Sequence, residues 1–542
     1  MTSGSVGLGI DLGSSAVRVG LFDYETDELI KTESHPVAYE RSVGGNWEYT
    51  QRTVDIIEGI VRCLTKLSVE KYTVQCCGVA ATCSMATFRT KPDGTLIPYP
   101  DNNNVVFWMD STAKVECDLL NEIIDSDIKD HMGGTFIPEM GVPKLLKLMK
   151  LVAIDTSVSS DELVVYDLHR YILWAISAKF KWNGKSVDSN RNINGIGIDG
   201  EIGGWSSRFY NILNSLISSG YKRIKINEFN FQDFPTETAT SLVSAIDSYA
   251  SWFSVISKSI ENSLFMVAGT STCYIYSPKS PQSTIKGMWG PFTNVLAGKW
   301  NNICYAGGHS CTGKLLENLF LTHPAVPRRD NKSQTDLINE IESRILEIEN
   351  KQNCSIHVLT KHMHYYGDLE GNRTPFVDPL LRGMSIGEST DFSFDNLVYR
   401  YVIILEFLAF QTKLIVDTFL SNIAHYEIEK FSLTITGSQA KNHRLLSLIK
   451  VLVDDIVVKI PKGDVSLMGV NGMYKISKLN KEDYSVDVLS IESESFMPLE
   501  EYNNNKYIKA LLLQKFDINV DMVNVQQKYR HLMESVKLDI NN

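Results

Sequence analysis

The stretch Val6-Gly-Leu-Gly-Ile-Asp11-Leu-Gly13-Ser14-Ser15-Ala-Val-Arg18-Val-Gly-Leu-Phe-Asp23 joins an apolar run, a turn of small residues centred on Gly13, and a second run rich in β-branched residues. That order predicts a strand, a tight turn and a second strand. A glycine and serine turn presents backbone N–H groups to which phosphate oxygens can bind without a Walker sequence. Ser14 and Ser15 add hydroxyl donors, and Asp11 beside the turn has the chemistry to hold a hydrated Mg²⁺. Alone, the segment reads equally as an ordinary hairpin turn.

About half a chain later a segment of the same kind recurs, Phe265-Met-Val-Ala-Gly269-Thr270-Ser271-Thr272-Cys-Tyr-Ile-Tyr276. Three hydroxyls surround one glycine between two hydrophobic runs. The pairing favours a nucleotide held between two lobes over two unrelated turns. The expected organisation is an internally duplicated α/β chain, cut just before the second hairpin into residues 1–258 and 259–542, because short-period repeats of roughly 20–50 residues are absent. Between and beyond the hairpins, helical periodicity marks residues 54–67, 144–152 and 397–419, and strand patterns mark 74–81 and 431–436. Residues 431–436 run into Gly437-Ser438-Gln-Ala-Lys-Asn442 and then a helix over 444–452. Strand, glycine turn, helix is an arrangement that faces nucleotides in many α/β folds.

The 542 residues are 43% hydrophobic and 22% charged, a globular composition. A net charge of −11 argues against a broad phosphate-backbone footprint, so nucleic acid is not expected as a partner. No apolar run reaches the roughly 18–20 residues of a membrane span. The opening residues lack a basic and an apolar region, and the nine cysteines are scattered without a C-x-x-C pair, so a reducing, cytoplasmic setting is expected.

These residues resemble the FGGY carbohydrate kinases, whose fold is α/β, a two-lobed actin-like, ribonuclease-H-like ATPase fold with an interlobe catalytic cleft. Asp11-Leu-Gly13-Ser14-Ser15-Ala-Val-Arg18 is similar to the family's D-x-G-T-x-x-x-R, and Ala268-Gly269-Thr270-Ser271-Thr272 to T-G-T-S-T. Gly307-Gly308-His309-Ser310-Cys311-Thr312-Gly313 resembles G-G-x-S-x-T-G, and Gly371-Asn372-Arg373-Thr374-Pro375 resembles G-N-R-S-P. The segments Ala81-Thr82-Cys83-Ser84, Trp108-Met109-Asp110 and Pro138-Glu139-Met140 to Pro143-Lys144 are most similar to the ribulokinase-like branch, in particular the eukaryotic D-ribulokinase type.

The resemblance implies ATP and Mg²⁺ as cofactors, a small sugar as substrate, and phosphorylation of the terminal hydroxyl of a ketopentose, D-ribulose first. It places phosphate and Mg²⁺ at Asp11, Gly13, Ser14, Ser15 and Arg18, and phosphate at Gly269, Thr270, Ser271, Thr272 and Gly308. The adenine is expected at Gly437, Ser438 and Asn442, and the sugar at Ala81, Thr82, Cys83 and Asp110. Asp247 in Ser244-Ala-Ile-Asp247-Ser-Tyr-Ala-Ser251 takes the position of the catalytic base. By position alone it reads first as a helix-start aspartate. Xylulose, L-ribulose or a polyol is the alternative substrate, and a catalytically weak nucleotide-binding interaction protein is the alternative of another class.

Several positions depart from the family pattern: Ser14 stands for a threonine, Ser111-Thr112 for His-Arg, Lys147 for a tryptophan and Ser438 for a glycine, and Ala245 to Ser251 lacks the usual flanking glycines. Trp108 is expected either to stack on a sugar or to fill the core, Cys76 and Cys77 to pack in a strand, His362 and His364 to lie at the surface, and the acidic run 340–349 to form a solvated helix face.

Overall fold

Residues 5–23 form the expected hairpin. β1 (Ser5–Leu12) runs antiparallel to β2 (Ala16–Asp23), and Asp11 lies directly opposite Arg18. The computed structural model describes residues 4–155, 163–180, 241–256, 263–278, 283–292, 304–326, 333–422, 431–481, 490–502 and 505–535, with short pieces between 215 and 226. By contacts the chain divides into two units. One comprises Met1–Val267, Tyr274–Gly307 and Pro461–Ser493, the other Ala268–Cys273, Gly308–Ile460 and Glu494–Asn542. The expected cut after residue 258 lies outside the described residues, and the first unit also draws two segments from the second half of the chain.

The first unit is built on a five-stranded sheet. β3 (Leu29–Pro36) pairs with β2, while β4 (Thr73–Ala81) and β5 (Ser241–Ile246) add parallel strands beyond β1. Side chains alternate between faces along a strand. Leu8, Ile10 and Leu12 therefore join Ile56, Ile60, Leu64, Ile172 and Ile176 in a core on one face. Helices Thr53–Lys66 and Leu168–Phe180 supply those partners.

The other face carries Gly7, Gly9 and Asp11 of β1, and it receives α2 (Met468–Lys481), which packs between this sheet and α1 (Asp247–Val255). Glycine permits the approach. A Cβ on Gly9 would lie 2.0 Å from the Val470 carbonyl oxygen, one on Gly78 2.2 Å from that of Met473, and one on Gly472 1.8 Å from that of Ala250. Tyr474 stacks on Phe22 with ring centroids 4.2 Å apart. Lys475 and Lys478 extend to the Ile256 and Tyr24 carbonyls, each at 2.6 Å. The buried ammonium groups thus keep hydrogen-bond partners away from water, Lys475 also meeting Ser490 Oγ at 2.8 Å and Lys478 the Asp27 carboxylate at 2.7 Å.

The second hairpin also forms. Strands Ser263–Ala268 and Thr272–Ser277 are neighbours in one sheet, with Cys304–His309 beside the latter. In the second unit the helix Phe394–Leu420 runs for 27 residues through the core. Strand Ser432–Thr436 is followed by helix His443–Leu452 and by Val457–Pro461, which pairs parallel to it, a right-sized crossover unit. The helix Gln334–Gln352 starts with a capping box in which Ser333 and Asp336 satisfy each other's backbone N–H. Among the described residues no helix is long and apolar enough to cross a membrane.

Candidate active site

Because β1, β4 and β5 are parallel, their carboxyl ends coincide, and the register aligns Asp11 with Ala80 and Ala80 with Ala245. Gly13, Thr82 and Asp247 therefore emerge together at one sheet end, the place where open α/β sheets bind ligands. Asp11 is 8% exposed, and its Oδ1 is buried without a hydrogen-bond partner. An orphaned carboxylate oxygen of this kind fits a cation or its bound water. Burial raises the Asp11 carboxyl to about 6 against the opposing pull of Arg18. Burial, and then the negative charge of Asp11, raise Asp247 to about 7. Two carboxylates that resist simultaneous ionisation suit a site that handles a cation and a proton.

Asp247 opens α1 and accepts from the Ser248 N–H at 2.8 Å, as a helix-start aspartate does, while standing at the carboxyl end of β5. Gly469, in the first turn of α2, abuts Asp11. A Cβ there would lie 2.4 Å from Asp11 Oδ2 and 2.6 Å from Cγ. The Gly13 N–H closes the turn on the Ala16 carbonyl at 3.0 Å, Ser15 is exposed, and Ser14 Oγ accepts from the Trp108 indole Nε1 at 3.0 Å.

The segment after Val106 is held from several sides. Lys144 donates to the Phe107 and Trp108 carbonyls at 3.0 and 2.6 Å. The Trp108 N–H donates to Ser84 Oγ at 3.0 Å, and Ser84 pairs with Thr82 Oγ1 at 2.9 Å. Ala81 is buried at the end of β4, and Cys83 is half-buried. Asp110 is fully buried. Its Oδ2 accepts from the Glu48 and Tyr49 N–H groups at 2.6 and 3.0 Å, and its Oδ1 accepts from the Thr112 N–H and hydroxyl at 3.0 and 2.6 Å. Four donors from the protein make Asp110 an organiser of this segment.

In the second unit the turn Gly269–Thr272 is stitched to the segment that resembles G-G-x-S-x-T-G. The Thr312 and Gly313 N–H groups donate to the Thr270 and Gly269 carbonyls at 2.9 and 3.0 Å, and the Thr272 and Thr312 hydroxyls pair at 2.7 Å. A Cβ on Gly269 would meet nothing within 4 Å, which leaves the outer side of the turn open to an anion. Gly308 is glycine for space, since a Cβ would sit 2.6 Å from the Thr272 carbonyl oxygen. Gly437 has φ of 87°, and its Cβ would lie 2.4 Å from the Ala268 carbonyl oxygen, so the glycine turn leans on the residue that leads into the second hairpin turn. Ser438 is exposed. The Asn442 carboxamide caps helix His443–Leu452, accepting from the Leu445 N–H at 3.1 Å, and donates to the Tyr401 hydroxyl at 2.9 Å.

Asp11, Asp247, Thr82 and the first turn thus converge in the first unit, and Gly269–Thr272, Gly308 and Gly437 in the second. Gly469 and Gly472 went unread in the sequence. Their signal is a pair of glycines three residues apart within a helical stretch, matching glycines on β1 and β4. Trp108 turns out to be mostly buried with its indole N–H directed to Ser14, and Cys76 and Cys77 are fully buried as strand packing predicts. No His, Cys, Asp and Glu cluster able to hold a metal by itself occurs among the described residues.

A model of the C-terminal domain of the FGGY family of carbohydrate kinases matches residues 264–463. The chain is 44% identical to Protein MPA43 of Saccharomyces cerevisiae over 98% of either chain. It is 28% identical to a D-ribulokinase of the same yeast, over 82% of this chain and 67% of that one. In structure it resembles a xylulose kinase from Lactobacillus acidophilus, with a TM-score of 0.68 at 14% identity and coverage of 96% and 98%. It also resembles a Plasmodium falciparum glycerol kinase solved with ADP, with a TM-score of 0.63 at 14% identity and coverage of 96% and 99%.

Proposed function

This chain belongs to the FGGY family of carbohydrate kinases and has its actin-like two-domain fold, and we propose that it transfers the γ-phosphoryl group of ATP to the terminal hydroxyl of D-ribulose, giving D-ribulose 5-phosphate and ADP. The observation that carries the reading is the pair Asp11 and Asp247 at the carboxyl ends of parallel strands, beside a turn that exposes N–H and hydroxyl donors. The similarity to a D-ribulokinase supports this sugar over other ketoses.

Phosphoryl transfer through a loose, in-line transition state asks the protein mainly for position and charge neutralisation. Asp247 orients the attacking hydroxyl and takes its proton as the new P–O bond forms. Asp11, with its unpartnered oxygen, is the residue that would hold Mg²⁺, which supplies charge neutralisation on the phosphates when bound. The turn at Gly13 and the turn at Gly269–Thr272 donate to phosphate oxygens. Gly437, Ser438 and the segment capped by Asn442 form the surface for adenine.

ADP release measured with Mg²⁺, ATP and a panel of D-ribulose, D-xylulose, L-ribulose and polyols tests the reading. The expected result is the highest kcat/KM on D-ribulose. A preference for another sugar overturns the substrate assignment, and saturable ATP binding without turnover on any of them overturns the kinase assignment.

A further inference from the structure

We infer that Trp108 is a positioning residue for the phosphate turn: its indole N–H fixes the direction of the Ser14 hydroxyl, so that this hydroxyl serves as a donor to an acceptor-only phosphate oxygen. The inference rests on the assignment of Ser14 to phosphate made above. A serine hydroxyl has one proton and two lone pairs, and unless something orients it, it presents either to a ligand. Here Trp108 Nε1 donates to Ser14 Oγ at 3.0 Å and occupies one lone pair. The Ser14 carbonyl, a separate group, accepts from Gln51 Nε2 at 3.4 Å. No described residue accepts the Ser14 hydroxyl proton, which therefore remains available for an incoming acceptor.

The indole is held firmly enough to impose this polarity. Trp108 is 7% exposed and packs against Phe107, with ring centroids 5.8 Å apart. Its N–H donates to Ser84 Oγ at 3.0 Å, and its carbonyl accepts from the buried Lys144 at 2.6 Å. Ser84 is in turn paired with Thr82 at the end of β4. The contact therefore links the segment expected to meet the sugar with the turn expected to meet phosphate, across 94 residues of sequence.

The test is a double-substitution cycle on the full chain, using W108F, which keeps a ring and removes the N–H, S14A, and the pair. Binding of Mg²⁺ with a non-hydrolysable ATP analogue and kcat on the preferred sugar are both read. W108F and S14A each are expected to weaken analogue binding about 3- to 10-fold, as loss of one hydrogen bond worth about 1 kcal/mol implies. The double variant is expected to be no weaker than S14A, while S14T, which restores a hydroxyl, keeps near wild-type affinity. Independent, multiplying effects, or a W108F variant altered only in KM for sugar, overturn the inference. A wild-type chain that binds the analogue but phosphorylates no sugar sinks the kinase assignment alone, because the binding cycle still reads the coupling. A chain that binds no analogue sinks both.

Discussion

Lys147 Nζ donates to Thr112 Oγ1 at 2.7 Å, so two of the positions at which this chain departs from the family pattern satisfy each other. The same hydroxyl donates to Asp110 Oδ1 at 2.6 Å, and Lys147 also binds the Asn46 and Thr112 carbonyls and lies 4.7 Å from the Trp47 ring centroid. Burial lowers the Lys147 ammonium from its usual range, while Asp110 and Glu116 oppose that shift. Thr112 and Lys147, two of the departing positions, thus form one hydrogen-bonded pair.

Thr112→Val leaves Asp110 and Lys147 each short of one partner and should cost about 1–3 kcal/mol of stability. Lys147→Met should cost a similar amount, and the two losses should not add. Urea unfolding of the single and double variants checks this, with fully additive losses counting against the pairing.

Asp247→Asn should reduce kcat by about 10²- to 10⁴-fold while nucleotide binding persists. In the intact chain kcat/KM should rise with pH as Asp247 ionises near 7. Asp11→Asn removes the neighbouring negative charge and should lower the Asp247 midpoint, measured on residual turnover or by NMR titration. Stability runs the other way. Both carboxyls are raised in the folded state, so between the ordinary carboxylate range and about 7 the folded chain binds more protons than the unfolded one, and stability falls as pH rises through that window. Asp247→Asn should therefore be more heat-stable than the wild type at pH 8, which a pair of melting curves decides.

Gly469→Ala puts a methyl where Asp11 Oδ2 would be 2.4 Å away. Either the carboxylate or the start of α2 must move, and a displacement of about 1 Å at a reacting centre can cost about 10²-fold in rate. The expected signature is a lower kcat with a raised Mg²⁺ requirement. Unchanged Mg²⁺ dependence would separate Gly469 from Asp11.

Arg444→Met breaks a buried polar network. Arg444 donates to Glu342 and Glu501, each at 2.9 Å, and to the Tyr502 hydroxyl at 2.8 Å. Tyr502 pairs with His357 at 2.7 Å, and His357 with Glu406 at 2.6 Å. Tyr401, which donates to Glu342, accepts from Asn442. Leaving the two partly exposed glutamates and the buried Tyr502 hydroxyl without this donor should cost about 1–3 kcal/mol, read as a lower denaturation midpoint. Glu349, raised to about 7 chiefly by burial and also by Glu501, should then rise further, so the loss should deepen as pH increases above 7.

The acidic run 340–349 shows where one-dimensional reading stops. Its charges read as a solvated face, and most of the helix Gln334–Gln352 is exposed, yet Glu342 meets Arg444 across 102 residues. A charge pattern records which residues can face water, while the partner that occupies one of them is set by how distant helices pack.

The local sequence by itself determined the two hairpins, the boundaries of the main helices to within a few residues, and the residue types able to bind phosphate, a cation and a proton. Turn chemistry and side-chain periodicity act over a few residues, so they are written locally. Only the tertiary structure decided that α2 returns from residues 468–481 to press Gly469 on Asp11, that Trp108 orients Ser14, and that Lys147 meets Thr112. Each of these depends on close approach between segments far apart in the chain, where small residues and paired polar groups are selected by three-dimensional fit and leave only faint marks in the order of amino acids.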